Sequence, residues 1–149
     1  EPPHLCCQRA RNQMRISPLE AEAIARAFRR DPALRAKLPS VLERLRKELP
    51  RLRETTARQG FDCPLLEGTR CLVHDLAKPI GCTAWNPGLE FTEGGWEAFA
   101  CRDQLNDRVH GPRWKLQVIP LWLKRVFRGE LRGETVQEDP ARKETEPQG

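Results

Sequence analysis

The sequence predicts a mainly α-helical domain, and three observations lead to that prediction. Apolar side chains recur at helical spacing from residue 17 to about residue 60 and again from Trp114 onward. Residues that favour helix N-termini stand directly before these patterns. The span between them is rich in Gly and Pro and holds four of the six cysteines. We therefore expect a small domain in which two to four helices frame an irregular, cysteine-rich loop region.

The first helix has a well-marked start. Ser17 is a good N-cap, Pro18 suits the first helical position, and Glu20 stands three residues after Ser17. This pattern predicts a capping box, in which two backbone donors are satisfied reciprocally. Asp31 before Pro32 predicts a second start. The predicted apolar face of the first helix consists of Leu19, Ala23, Ile24, Ala27 and Phe28.

A further capping box is predicted at Ser40 and Glu43. Because Pro39 and Pro50 interrupt the pattern, we expect two or three short helices or one kinked helix, ending near Gly60. The apolar stripe of this region consists of Val41, Leu42, Leu45, Leu49 and Leu52.

Residues 61–112 are expected to form loops, because turn-forming residues are frequent and helical periodicity fades. Helix is expected again from Trp114, with Pro120 marking a start or a kink. Residues 134–149 are polar and contain two prolines, which predicts a disordered tail. The expected organisation is a single domain over residues 1–133, followed by that tail over residues 134–149.

Charge narrows the classes of partner. The formal net charge is +5, and the tail carries five acidic against two basic residues, so the preceding 133 residues carry +8. Basic residues alternate with acidic ones on the helical segments, which favours a solvated surface and gives no strong indication of nucleic-acid binding. No run approaches the roughly 18 apolar residues of a membrane span. We expect no membrane association and, from the charged helices, a cytoplasmic location.

The cysteines are the most informative residues. Cys6 and Cys7 are adjacent, and the others follow as Cys63-x7-Cys71-x10-Cys82-x18-Cys101. Three alternatives are open: thiolates that converge on a metal, three disulfides, and ordinary buried thiols. Buried free thiols favour the interiors of helices and strands, whereas these cysteines stand among Gly and Pro. An adjacent pair of cysteines is also difficult to distribute among three disulfides. These observations favour a metal.

The cysteine block resembles the YkgJ-like cysteine-cluster family, whose domain is described as zinc- or iron-chelating. The resemblance rests on Cys63-Pro64-Leu65-Leu66, on Gly68 before Cys71-Leu72-Val73, and on Lys78-Pro79-Ile80-Gly81-Cys82. It extends upstream to Cys6-Cys7 and to the helix start Ile16-Ser17-Pro18-Leu19-Glu20-Ala21. Together these motifs span roughly residues 6–101.

The resemblance implies a zinc or iron site, including the possibility of an iron–sulfur cluster, with a metal ion as the first partner and a protein partner as a further one. The implied ligands are Cys6, Cys7, Cys63, Cys71, Cys82 and Cys101.

The sequence departs from the family pattern at several positions. His74 replaces a Tyr, Lys78 and Thr83 replace arginines, and Pro3 stands where another cysteine is expected. His4 is an alternative ligand, whereas packing is favoured for His74 and a loop position for His110. Lys78 or Arg70 is a candidate for offsetting thiolate charge, with plain exposure to solvent as the alternative.

Catalysis is not specified by the sequence. There is no GxGxxG, P-loop, HExxH or nucleophile elbow, and the pair Glu90 and Glu93 is expected to lie in solvent. Metal binding is the favoured function. The alternatives are a metal-dependent enzyme or enzyme subunit that modifies a protein or small molecule, and a metal-stabilised basic module for nucleic acid or an acidic protein.

Overall fold

The computed structural model describes residues 12–84 and 95–133, and over these residues the chain is mainly helical, as predicted. The strands are short and form two separate antiparallel pairs. Strand β1 (Arg15–Ile16) pairs with β4 (Gln117–Val118), and β2 (Leu66–Glu67) pairs with β3 (Arg70–Cys71). The first pair joins the segment before α1 to the segment before α5.

The first two helices begin where the sequence predicts. Helix α1 (Pro18–Arg30) is preceded by Ser17, whose side chain accepts a hydrogen bond from the backbone N–H of Glu20 while the Glu20 carboxylate accepts one from the N–H of Ser17. Helix α2 (Pro32–Glu48) begins at Asp31, whose side chain accepts from the N–H of Leu34 at 3.1 Å. Both caps confirm the predictions.

Four further helices complete the described chain. They are α3 (Ile80–Ala84), α4 (Gly95–His110), α5 (Ile119–Val126) and α6 (Arg128–Leu131). A 3-10 segment, Leu49–Arg51, follows α2. Pro120 lies in the first turn of α5, so it marks a helix start.

The hydrophobic core lies between α1, α2 and α5. Fully buried side chains from these helices and from the residues around them meet there, and they include Ile24, Phe28, Val41, Leu45, Phe61, Leu65, Val73, Leu123 and Phe127. The rings of Phe28 and Phe127 meet edge to face, with centroids 5.9 Å apart and planes at 87°. None of the helices in the described chain is long and apolar enough to cross a membrane.

Two boundary predictions for α2 are wrong. Ser40 is no N-cap, since it lies inside α2 and its hydroxyl donates to the carbonyl of Lys37. Pro39 removes one backbone donor from the helix, but the helix continues because the leucines and the valine that follow are buried against α1 and α5. The helical region also ends at the 3-10 segment and does not extend to Gly60.

Residues 61–112 are not all loop. The loop prediction holds for most of residues 61–79, whereas α4 occupies residues 95–110. The buried residues of α4 include Arg102 and Asn106, which are polar, so the helix carries no strong apolar stripe that periodicity would detect. The tail over residues 134–149 lies outside the described residues, as do Glu90 and Glu93.

Replacing Phe28 by Ala tests the core directly. The side chain is fully buried and packs on Phe127, so Phe28→Ala should lower the free energy of unfolding by about 3–5 kcal/mol in urea denaturation. The control is Leu76→Ala, because Leu76 is 59% exposed and its truncation should change stability by less than about 0.5 kcal/mol. Equal effects of the two substitutions would contradict this description of the core.

Candidate functional site

Cys63 and Cys71 lie in one small hairpin. Strands β2 and β3 are joined by a turn in which Gly68 has a φ of +61°, a conformation that favours glycine. Leu66 pairs with Cys71 in the hairpin, and its N–H donates to the carbonyl of Cys63 at 3.1 Å. Cys63 is buried and Cys71 is half-buried. The hairpin therefore brings two of the predicted ligands into the same compact loop.

Cys82 lies in α3, where two contacts fix the start of that helix. The N–H of Ile80 donates to Oε1 of Glu20 at 3.0 Å, so α3 begins against the first turn of α1. A Cβ atom at Gly81 would collide with Sδ of Met14, which shows how closely Met14 packs on the residue before Cys82. Cys82 itself is half-buried and packs against the core.

Cys101 is placed differently from the other three. It lies in the middle of α4 and is exposed, on the same side of the helix as Leu105 and Val109, which are 50% and 61% exposed. The expectation that all four later cysteines occupy irregular loops is therefore wrong for Cys101. It is correct for Cys63, and Cys71 and Cys82 occupy very short elements.

Residues 12–20, which we call the hub segment, contact the chain near Cys63, near Cys82 and in α4, the helix of Cys101. The carbonyl of Asn12 accepts from the N–H of Phe61 at 3.1 Å, two residues before Cys63. Met14 packs on Gly81. The N–H of Leu19 donates to Oδ1 of Asn106 in α4 at 3.1 Å.

A buried ion pair completes the contact between the hub segment and α4. Nη1 of Arg102 lies 3.7 Å from Oε2 of Glu20, and both side chains are about nine-tenths buried. The guanidinium of Arg102 also lies 4.7 Å from the ring centroid of Phe99, and the Arg102 carbonyl accepts from Nδ2 of Asn106. Nε of Arg102 also lies 3.0 Å from Oδ1 of Asp103, so the buried guanidinium is paired with one carboxylate of α1 and one of α4.

The described residues do not by themselves form a metal site. Among residues 12–84 and 95–133, no three or more His, Cys, Asp or Glu side chains are grouped so that they could hold a metal. No disulfide joins any two of the four cysteines in these ranges. Cys6, Cys7 and His4 lie outside the described residues, as does Trp85, so the predicted set is described only in part.

Sequence reasoning missed a basic residue that contacts the chain beside Cys63. Nε of Arg44 donates to the carbonyl of Pro64 at 2.9 Å, beside Cys63, and its Nη2 is buried without a hydrogen-bond partner among the described residues. Its distance of 20 residues from Pro64 in sequence gave no signal for this contact.

The two basic residues that sequence reasoning favoured, Arg70 and Lys78, are paired with side chains other than cysteines. Arg70 is exposed and lies 3.5 Å from Asp75, and Lys78 lies 3.2 Å from Nδ1 of an exposed His74.

His110 is at the end of α4, where its Nε2 lies 3.2 Å from a carboxylate oxygen of Glu22. His110 therefore joins α4 to α1 and is not a loop residue.

Comparison with known proteins adds no assignment. The chain matches no protein-family model, no curated protein and no solved structure.

The close packing at Gly81 can be tested with a double-mutant cycle. Gly81→Ala should cost about 1 kcal/mol of stability, because the new methyl group displaces the flexible end of the Met14 side chain. In the Met14→Ala background the same substitution should cost less by at least about 0.5 kcal/mol, since the obstructing side chain is gone. Additive effects in thermal or urea unfolding would contradict the contact.

The Lys37–Glu67 pair gives a pH prediction for the hairpin. Nζ of Lys37 lies 2.5 Å from Oε1 of Glu67, and this hydrogen bond, with the charge of Lys37 and of Arg44, holds the pKa of Glu67 below its ordinary value. A carboxyl group with a depressed pKa in the folded state contributes stability above the ordinary pKa, and that stability is lost as the pH falls through the folded-state pKa. Lys37→Met should raise the pKa of Glu67 in an NMR titration, whereas Lys47→Met, on the same helix, should leave it unchanged.

Proposed function

We propose that this chain binds a zinc or iron ion through cysteine thiolates, with Cys63, Cys71 and Cys82 as the ligands from the described residues. Cys6 and Cys7 complete the set from the N-terminal side. Cys101, which is exposed, is a further candidate ligand. The observation that carries the proposal is the hub segment. It contacts Phe61, two residues before Cys63, and Gly81, next to Cys82, and it begins five residues after Cys7.

Chain length supports the contribution of Cys6 and Cys7. Cys7 precedes Asn12 by five residues, and five residues of extended chain span at most about 17 Å. Asn12 is hydrogen-bonded to Phe61, which is two residues from Cys63. The covalent chain therefore allows the adjacent cysteines to reach the hairpin.

The chemistry of the donor set fits these metals. Thiolates are soft ligands, and sites with four sulfur ligands suit zinc and iron–sulfur clusters. Cys63 is only 7% exposed, and its burial among apolar residues limits the access of water to a metal at that position.

A thiolate-rich site carries negative charge, and Arg44 supplies a matching positive charge. Its buried Nη2 has no acceptor among the described residues, which is costly for a charged donor. Beside Pro64, the positive charge of Arg44 would offset part of the negative charge of a thiolate ligand at Cys63. The same arginine thus has a reason to be buried near Cys63.

A bound metal would link two parts of the chain that are far apart in sequence. It would connect the chain before the hub segment to the hairpin, across the 55 residues between Cys7 and Cys63. Because the unfolded chain lacks a preformed site, the binding free energy would contribute to folding. The proposal places the protein in the cytoplasm, where thiols stay reduced.

Serine substitutions test the ligands. Cys71→Ser and Cys82→Ser should each lower the bound zinc or iron and the thermal stability together, because an alcohol is a poor replacement for a thiolate. Metal content would be measured by elemental analysis on protein purified without oxygen. Visible absorption would distinguish an iron–sulfur cluster from colourless zinc.

The matched control is Thr69→Ala, at an exposed position in the same hairpin, which should change neither quantity. Cys101→Ser decides whether the exposed cysteine belongs to the site. Wild-type protein without metal, or full metal content in both Cys71→Ser and Cys82→Ser, would refute the proposal.

A further inference from the structure

A cleft of about 580 Å³ lies away from the described cysteines, between the loop that follows the 3-10 segment and the residues on either side of β4. Its walls include Thr56 from that loop, Trp114 and Gln117 from the segment leading into α5, and Trp122 from α5 itself. This volume is in the range of clefts that take small-molecule ligands.

Two tryptophans give the cleft flat apolar walls. The indole N–H of Trp114 donates to Oδ1 of Asp107 at 2.6 Å, and that of Trp122 donates to the carbonyl of Lys115 at 3.2 Å. The two rings are half-buried and held in place by these bonds. Rings fixed in this way offer stacking surface to a planar group at little entropic cost.

The charge around the cleft is predominantly positive. Arg113, Lys115 and Arg125 line it together with a single acid, Glu54. Arg125 lies 3.9 Å from Glu54, and its guanidinium stacks on Trp122 with 5.1 Å to the ring centroid. Arg113 and Lys115 form no ion pair within the described part of the chain, so two cations remain to attract an anion.

Arg15 adds to the positive charge beneath the loop. Its Nη1 donates to the carbonyl of Thr56 at 2.9 Å, and its Nε is buried without a partner among the described residues. Burial and the nearby cations Arg58 and Arg102 lower the pKa of Arg15.

Gln117 provides the observation that points to a ligand. The residue lines the cleft and is 6% exposed, yet its Oε1 accepts no hydrogen bond from any described residue. A buried acceptor without a donor costs about 1–3 kcal/mol. The oxygen itself is covered, so a ligand would contact the amide through its NH2 group, which forms no hydrogen bond with a described residue.

We propose that this cleft binds a nucleotide unit, with its base stacked against a tryptophan of the cleft wall, the amide N–H of Gln117 donating to the base and the phosphate facing Arg113 and Lys115. The unit can belong to a free nucleotide or to single-stranded nucleic acid, since both present the same base and phosphate. The assignment is independent of the cysteine site, so Cys71→Ser should not change the affinity.

The test uses the full chain with three small probes, AMP, adenosine and ribose 5-phosphate, in calorimetry and in NMR of the indole N–H groups. AMP should bind and shift the signals of Trp114 and Trp122, whereas adenosine and ribose 5-phosphate should each bind about tenfold more weakly or worse, since each lacks one of the two recognised groups. A short oligoadenylate distinguishes the sources. Tighter binding than AMP identifies a nucleic-acid strand, and equal or weaker binding identifies a free nucleotide.

Two variants separate recognition from stability. Gln117→Met removes the amide and should weaken AMP binding about tenfold, while stability should stay equal or rise because an unsatisfied polar group is lost. Arg113→Gln should also weaken binding and reduce its salt dependence. The control is Arg26→Gln, the same charge change at an exposed position of α1 outside the cleft lining.

The outcomes are decisive in both directions. Weaker binding in Gln117→Met and Arg113→Gln, with Arg26→Gln unchanged, supports the cleft assignment. It is overturned if neither AMP nor the oligoadenylate binds with a Kd tighter than about 10 mM. It is also overturned if binding persists unchanged in both cleft variants.

Discussion

The hub segment, residues 12–20, is the constraint on which the rest of the structure depends. Within nine residues it contacts Phe61, Gly81 and α4, and its strand β1 pairs with β4. The short β1–β4 pair could not be stable alone, so burial must hold it, and Ile16 and Val118 are fully buried. Because Ile16 is opposite Gln117, the same segment borders both the cysteine-bearing region and the cleft. Both proposed sites therefore depend on the correct folding of one short stretch of chain.

The contact between α1 and α4 is unusual because polar groups form its buried part. Glu20 accepts hydrogen bonds from Ser17 and Ile80 and lies close to Arg102, so a single carboxylate serves the cap of α1, the start of α3 and the cation of α4. Hydrogen bonds of this kind are directional, and they fix the relative positions of the three helices more narrowly than apolar packing would. This geometry matters for Cys82, which lies two residues after Ile80.

The parts of the fold that follow from local chemistry were predictable from the sequence. Ser17, Asp31 and Pro120 mark helix starts because caps and proline act within one turn of the chain. Ser40 misled because burial of the surrounding leucines outweighs a capping signal. Helix α4 was missed because its buried residues are polar, and Arg44 and Gln117 acquire their roles only through distant contacts. The spacing of the cysteines identified them as candidate ligands. It could not predict how exposed each one is, and Cys101 is exposed.

The central claim is that thiolates from both sides of the hub segment share one metal. X-ray absorption spectroscopy at the metal edge, on protein purified without oxygen, tests it most directly because it counts sulfur ligands and measures their distances. The account predicts a first shell dominated by sulfur, at about 2.3 Å for zinc. A first shell of only nitrogen and oxygen atoms would contradict it, since the cysteines would then not be the ligands.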